Sequence, residues 1–430
     1  MTARNRELLG LVPASLLVTA GFAGIFIQQQ NKLSTVSLTY GAVFLALCLG
    51  AHILLRFTLP YADPYLLPLV AALSSFGLVM IYRINTTLAR QQALWFLVGL
   101  AFFAATIIVL RDYRKLERYR YTIALVAVGL LLAPRVPGIG QQVNGSYLNV
   151  KLGSLVFQPA EVAKIAIVIF LASYLRDTRQ VLIIGARRFL GVTLPPLKHF
   201  GPLLVVWGAA MFMLVFTREL GTSLMFYGAF LALLYVATSR LSFVLIGIAV
   251  FAVGAYFIGT HVPHVHDRVE IWLHPLRSDL VDGKSYQLAQ SLFAQADGGL
   301  LGQGFGQALL TLPHGGSIIP VPESDLIYAV LTDELGLLGA CAVLVTYLLI
   351  AERGFRIAML ARDSFSTLLA TGLTAIFALQ TFIIVGGVTR VIPLTGVTLP
   401  FISYGGSSIV MNFILLALLL LISDRARRPA

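Results

Sequence analysis

The stretch Pro320-Val321-Pro322-Glu323-Ser324-Asp325-Leu326-Ile327-Tyr328 closes the longest polar interruption of the chain and opens an apolar run. Glu323 and Asp325 therefore stand where water gives way to a low-dielectric region, and there a carboxylate can have its proton affinity and its partners set by the fold. Such a group is suited to general-base work. A helix cap is the competing role for Asp325, because Asp before an apolar run commonly accepts the first free N–H groups of a helix. The two roles can coexist.

A second charged pair follows Pro159 in Phe157-Gln158-Pro159-Ala160-Glu161-Val162-Ala163-Lys164. Proline suits a first helical turn, and Glu161 and Lys164, three apart, then share a face and can pair. Ionisable groups inside an apolar helix tend to line a cavity. A third segment, Thr217-Arg218-Glu219-Leu220-Gly221-Thr222, holds opposite charges between two apolar runs with too few residues for a loop. A fourth runs from Gly386 to Ser408, includes Arg390 and Ser403, and breaks the last two apolar runs with Pro, Gly and hydroxyl residues. Broken backbone at membrane depth is tolerated where it is buried in protein or faces a watery cavity. The four segments together imply such a cavity on one side of a membrane.

The elements that must hold these residues are apolar. Of 430 residues 58% are hydrophobic and 12% charged, and the mean hydropathy is +0.87, which describes an all-α, polytopic membrane protein. Twelve spans are expected, at about 8–27, 36–55, 65–82, 92–110, 119–134, 160–176, 200–217, 221–237, 241–259, 326–350, 365–387 and 401–422. Most of the 31 Lys and Arg, among them Arg4, Arg6, Arg56, Arg111, Arg176, Arg353 and Arg425, fall in segments that are cytoplasmic if both termini are inside. Arg83 and Arg90, flanking one outer loop, run against that bias. The net charge of +12 follows topology, so nucleic acid is not the partner it implies. Cys48 and Cys341 both lie in apolar runs and suggest neither disulfide nor metal.

Two outer loops stand out, residues 134–159 and the much longer 260–325 between spans nine and ten. In the latter, Ser285 to Ala296 places Leu288, Ala289, Leu292, Phe293 and Ala296 on one helical face, the pattern of an interfacial helix. The glycines of Gly298-Gly299-Leu300-Leu301-Gly302-Gln303-Gly304 match no nucleotide fingerprint and suit tight turns. His261, His264 and His266 lack partners at a metal-ligand spacing. The expected organisation is an extension at 1–64, a core at 65–422 with its loop at 260–325, and a basic tail at 423–430.

The ordered set of motifs resembles the SEDS family, the shape, elongation, division and sporulation proteins typified by RodA and FtsW. It comprises Phe157-Gln158-Pro159-Ala160-Glu161 with Lys164, Glu219-Leu220-Gly221-Thr222, Arg268 with Pro275, Tyr286-Gln287, Gly298-Gly299-Leu300, Pro322-Glu323 with Asp325, Asp333-Glu334-Leu335-Gly336, and Pro400-Phe401-Ile402-Ser403-Tyr404-Gly405-Gly406-Ser407-Ser408. It covers about residues 65 to 422. The chain departs from the family in Tyr147-Leu148, where an Arg-Trp pair is usual, in Glu219 for Asp, and in the single Ser324 between Glu323 and Asp325. Two spans precede the usual ten.

The resemblance implies a peptidoglycan glycosyltransferase of the bacterial plasma membrane that polymerises lipid II on its outer face with a class B penicillin-binding protein as partner, among other wall-synthesis machinery. It carries the family's essential aspartate onto Asp325 and the cavity pair onto Glu161 and Lys164, with Glu323, Glu219 and Ser403 supporting. Transfer of a lipid-linked sugar requires a base for the attacking hydroxyl and positive charge for the leaving diphosphate. Asp325 is the candidate base; Lys164, Arg268, Arg218 and Arg390 are the candidate cations, with Gln287 a further substrate contact. A divalent cation on Asp325, or shared with Glu323, is an alternative division of labour. A lipid flippase or transporter is the rival reading, since it too shows many spans and broken helices, but it wants its ionisable groups near the midplane. A non-catalytic scaffold would leave the clustered charges unexplained.

Overall fold

The computed structural model describes residues 2–30, 35–143, 146–153, 155–184, 187–189, 192–194, 220–312 and 316–429. They divide into two compact units. The first comprises residues 1–111, 271–353 and 380–430, the second residues 112–270 and 354–379. Among the described residues nine helices are long and apolar enough to cross a membrane, so the chain is a polytopic membrane protein. The span expected at 200–217 lies outside the described residues.

In the first unit α1 (Ala3–Gln30), α2 (Thr35–Thr58), α3 (Leu66–Ile84) and α4 (Thr86–Val109) are four successive spans. Helix α1 packs along α2 and α3. Helix α4 begins six residues before the span expected at 92, because Asn85 accepts the N–H groups of Thr87 and Leu88 and starts it there. At one end of this bundle a buried polar network joins the extension to the core. Glu7 meets Arg4, and His52 Nδ1 lies 2.7 Å from its Oε1. Asp63 pairs with Arg427 and accepts the Tyr65 N–H at 2.9 Å, while the Tyr61 N–H donates to Asp424 Oδ1 at 2.9 Å. Glu7, Asp63 and Asp424 are all buried. The chain's two ends and the α2–α3 connection thus meet at one end of this unit.

In the second unit α5 (Lys115–Arg118), α6 (Arg120–Leu132), α7 (Pro159–Ile184), α8 (Leu220–Thr238) and α9 (Leu241–His261) follow. Helix α6 has 13 residues, fewer than the span expected at 119–134, since Arg120 starts it and Pro134 lies in the 3₁₀ turn that ends it. Helix α7 has length enough for a span at 26 residues but carries Glu161, Lys164, Arg176, Asp177 and Arg179. The loop between them, read from sequence as an outer loop, carries a three-stranded antiparallel sheet of β1 (Gly140–Val143), β2 (Ser146–Leu152) and β3 (Leu155–Phe157), in the order β1-β2-β3. Its strands are three to seven residues long, too short for a clear alternating pattern.

The long loop carries α10 (Pro263–Leu273) and α11 (Tyr286–Gly298) and leads into α12 (Ile327–Leu360), α13 (Ser364–Val388) and α14 (Gly406–Arg427). Helix α11 is where periodicity placed it, but its buried face is Leu288, Ala289, Ser291, Ala294 and Gly298. Phe293, on the expected apolar face, is 43% exposed. Close contact selects the small side: Ser291 Oγ and Gln295 Nε2 donate to the Val388 carbonyl at 3.3 and 3.0 Å.

Two of the quoted motifs meet in the first unit. Helix α12 breaks at Gly336, whose φ of +64° is left-handed. The backbone groups that the break releases are taken up by the glycine-rich segment. The N–H groups of Gln303 and Gly304 donate to the carbonyls of Asp333 and Glu334, and those of Leu337 and Leu338 donate to the carbonyls of Gly299 and Leu300. A Cβ on Gly336 would stand 2.3 Å from the Gly302 nitrogen. The Glu334 carboxylate, buried beside this crossing, accepts from Arg83 Nε at 3.1 Å and from the Gly306 N–H at 3.0 Å. Arg83, which runs against the positive-inside bias, has its reason in this pairing.

Candidate active site

Asp325 sits two residues before α12, in a segment whose backbone is held by residues 399–405. Val321, a β-branched residue, takes φ +49° and Phe401 takes φ +66°. Such conformations persist where surrounding contacts over-determine them. Here the contacts are specific. The Ser403 hydroxyl donates to the Ser324 carbonyl and accepts the Leu399 N–H at 2.8 Å. The Tyr404 N–H donates to the Glu323 carbonyl at 2.8 Å. Both carbonyls preceding Asp325 are therefore used by one opposing strand of backbone.

That strand is fixed in turn by α3 and α4. Gly77 of α3 lets it approach, since a Cβ there would stand 2.6 Å from the Phe401 carbonyl oxygen. Gln92 of α4, buried, donates through Nε2 to the Ser403 carbonyl and accepts the Gly405 N–H through Oε1, both at 3.2 Å. The Tyr404 hydroxyl donates to Gln91 Oε1 at 2.6 Å. Further along, Thr398 Oγ1 donates to Ser408 Oγ at 2.9 Å, Asn412 Nδ2 donates to the same hydroxyl at 3.2 Å, and Gln380 Nε2 donates to the Thr398 carbonyl at 2.8 Å.

The Asp325 carboxylate is half-buried, as is Glu323. Its Oδ1 accepts the Ser324 hydroxyl at 2.8 Å, and its Oδ2 faces Gly396, where a Cβ would stand 3.7 Å away. A carboxylate in this setting is oriented by its neighbours yet reachable, the condition for a positioned base.

Of the other residues singled out from sequence, Glu161 and Lys164 belong to the second unit. Both are buried in the first turns of α7, and Lys164 Nζ lies 2.5 Å from Glu161 Oε2. Their pairing was legible from spacing alone. Arg268, half-buried on α10, is in the second unit, and Gln287, half-buried on α11, is in the first. Arg390 has two of its guanidinium nitrogens on the end of α10: Nε donates to the Trp272 carbonyl at 2.9 Å and one terminal nitrogen to the Leu273 carbonyl at 2.7 Å. Trp272 Nε1 returns a bond to the Arg390 carbonyl at 3.0 Å. A cation on helix C-terminal carbonyls satisfies their free acceptors and the negative end of the helix dipole. Arg218 and Glu219 lie outside the described residues. Gln91, Gln92 and Tyr404 were missed by sequence reasoning, although Tyr404 stands inside a quoted motif.

Comparison with known proteins identifies the family. The family model FTSW_RODA_SPOVE, described as "Cell cycle protein", matches residues 54–428. The peptidoglycan glycosyltransferase RodA of Mycobacterium tuberculosis strain H37Rv is 42% identical over 445 residues, covering 100% of this chain and 92% of its own. Stage V sporulation protein E of Bacillus subtilis is 30% identical over 377 residues, covering 85% and 98%. Among solved structures, a chain of "Structural coordination of polymerization and crosslinking by a peptidoglycan synthase complex" matches with a TM-score of 0.67 at 24% identity, over 86% of this chain and 99% of that one. The Thermus thermophilus rod shape determining protein RodA matches with a TM-score of 0.59 at 22% identity, over 86% and 98%. The fold is therefore that of these membrane proteins, and the sequence match over residues 54–428 places the chain in the FtsW, RodA and SpoVE family, the SEDS proteins that its motifs resemble.

Proposed function

We propose that this chain is a peptidoglycan glycosyltransferase that polymerises lipid II at the outer face of the bacterial plasma membrane, with both termini cytoplasmic. The observation that carries the reading is the Asp325 carboxylate, held by Ser324 and by a backbone that Ser403 and Tyr404 fix in place. In this reading the acceptor sugar's hydroxyl attacks the anomeric carbon of the donor, Asp325 takes the hydroxyl proton, and the lipid diphosphate departs with the bonding electrons. The leaving group carries negative charge, for which Lys164, Arg268, Arg218 and Arg390 are the proposed cations, with Gln287 a substrate contact. Glu161 keeps Lys164 charged and oriented, and Glu219, Glu323 and Ser403 support the site.

Among the described residues no three or more His, Cys, Asp or Glu gather as a metal site. A divalent cation on Asp325, or shared with Glu323 and the diphosphate, would complete its shell from substrate oxygens and water. Relatives named RodA and a neighbour described as coordinating polymerisation and crosslinking support a crosslinking partner. We assign that role to a class B penicillin-binding protein.

The test compares two assays on the purified full-length chain: glycan polymer formed from lipid II in detergent, and lipid II translocation in vesicles. Polymer without translocation is the expected result. Translocation without polymer would replace this reading with the flippase.

A further inference from the structure

Helices α1 to α4 enclose a cleft that glycosyl transfer does not use. Its volume is about 140 Å³. Val18, Phe22, Phe44 and Phe96 form the buried floor, while Tyr40, Val43 and Arg90 are exposed at the rim, so the cleft opens between α2 and α4. Phe22, Tyr40 and Tyr82 make one wall, with ring centroids 4.9 to 6.2 Å apart. Arg90 is the single charged residue of the lining, and among the described residues it makes no hydrogen bond or ion pair.

The placement of these groups has a direction. Tyr82 lies in the last turn of α3, Arg90 near the first turn of α4 and Tyr40 near the start of α2. The polar rim is therefore at one water–lipid boundary, and the apolar floor runs inward from it. Tyrosines prefer that boundary. An apolar cavity of about 150 Å³ stays dry and accepts an apolar guest, and in a membrane the available guest is an acyl chain. An exposed, unengaged guanidinium at its mouth suits a phosphate by charge and by its forked donors.

We propose that α1 to α4 bind one anionic phospholipid, an acyl chain in the cleft and its phosphate on Arg90. The family match begins at residue 54, so the walls from α1 and α2 are outside it. The site thus gives the N-terminal extension a role of its own, independent of the glycosyltransferase reading.

The test is native mass spectrometry of the full-length chain, purified in neutral detergent and titrated with phosphatidylglycerol, phosphatidylcholine of the same chains, and undecaprenyl phosphate. The wild type retains one phosphatidylglycerol in about fivefold preference to phosphatidylcholine, the factor expected of one basic residue at a membrane surface. Arg90→Gln abolishes that preference and leaves phosphatidylcholine retention unchanged. Ala93→Phe, which fills the mouth, lowers retention of both; Val43→Phe repeats the block from the other lip should Ala93→Phe fail to accumulate. Each variant's melting temperature is measured alongside. Equal phosphatidylglycerol retention by the wild type and Arg90→Gln would overturn the proposal. So would an Arg90-dependent preference for undecaprenyl phosphate, which would assign the cleft to a lipid carrier.

Discussion

The Ser403 hydroxyl donates to the backbone carbonyl of Ser324, the residue immediately before Asp325. The same oxygen accepts the Leu399 N–H, so one buried side chain ties the candidate base to the segment that crosses above it. Ser403→Ala leaves both backbone groups without that partner, at a cost of about 1–3 kcal/mol per unsatisfied buried group. The expected outcome is a lowered melting temperature together with a fall in glycan polymerisation. Ser403→Thr, which keeps the hydroxyl, recovers more of the activity than Ser403→Ala. Equal activity of the two variants would argue against this role for the hydroxyl.

Gly336→Ala attacks the crossing of the glycine-rich segment and α12. The new Cβ would meet backbone of Gly302 and Leu300 at 2.3 and 2.5 Å, at a φ that disfavours any side chain. Strain and overlap together are expected to cost about 2–5 kcal/mol. A thermal-shift measurement in detergent checks this; a melting temperature equal to wild type would mean that the two backbones do not meet as described.

Glu7, buried against Arg4 and His52, ties α1 to α2 within the extension. Breaking one partner of a buried pair costs about 3–5 kcal/mol, whereas replacing both by apolar groups of similar volume costs far less. Arg4 also donates to the Ala62 carbonyl, so the relevant comparison is Glu7→Ala against Glu7→Leu with His52→Leu. The single variant is expected to melt lower than the double one. The reverse order would show that the network contributes little beyond packing.

Glu161 and Lys164 test function against support in the same way. Lys164 is fully buried, so Lys164→Ala alone is expected to lose both stability and polymer. Glu161→Gln with Lys164→Met removes both charges at similar volume and is expected to fold yet make no polymer from lipid II. Wild-type polymerisation by the double variant would reduce the pair to a structural one.

Much of this was legible because hydropathy reports directly on membrane spans. The α7 pair followed from three-residue spacing, and α11 from periodicity. The errors have physical causes. Periodicity weighs large apolar residues and so marked Phe293 for the apolar face, whereas the side buried against the protein also takes the small residues Ser291, Ala294 and Gly298. Gln91 and Gln92 follow Arg90 at a helix start and carry no motif, yet Gln92 is buried and spans the backbone on both sides of Tyr404. Spacing along the chain also carries no information on which distant backbones meet. The contact of Gly302 with Gly336 and the hold of Ser403 on Ser324 were therefore visible only in the fold.

The central claim concerns Asp325, and one substitution tests it most directly. Asp325→Asn keeps the size of the side chain and an oxygen able to accept from Ser324, but removes the charge and the proton affinity of a base. Purified in detergent, the variant is predicted to match the wild type in melting temperature and to form no glycan polymer from lipid II. Full polymerisation by Asp325→Asn would contradict the assignment.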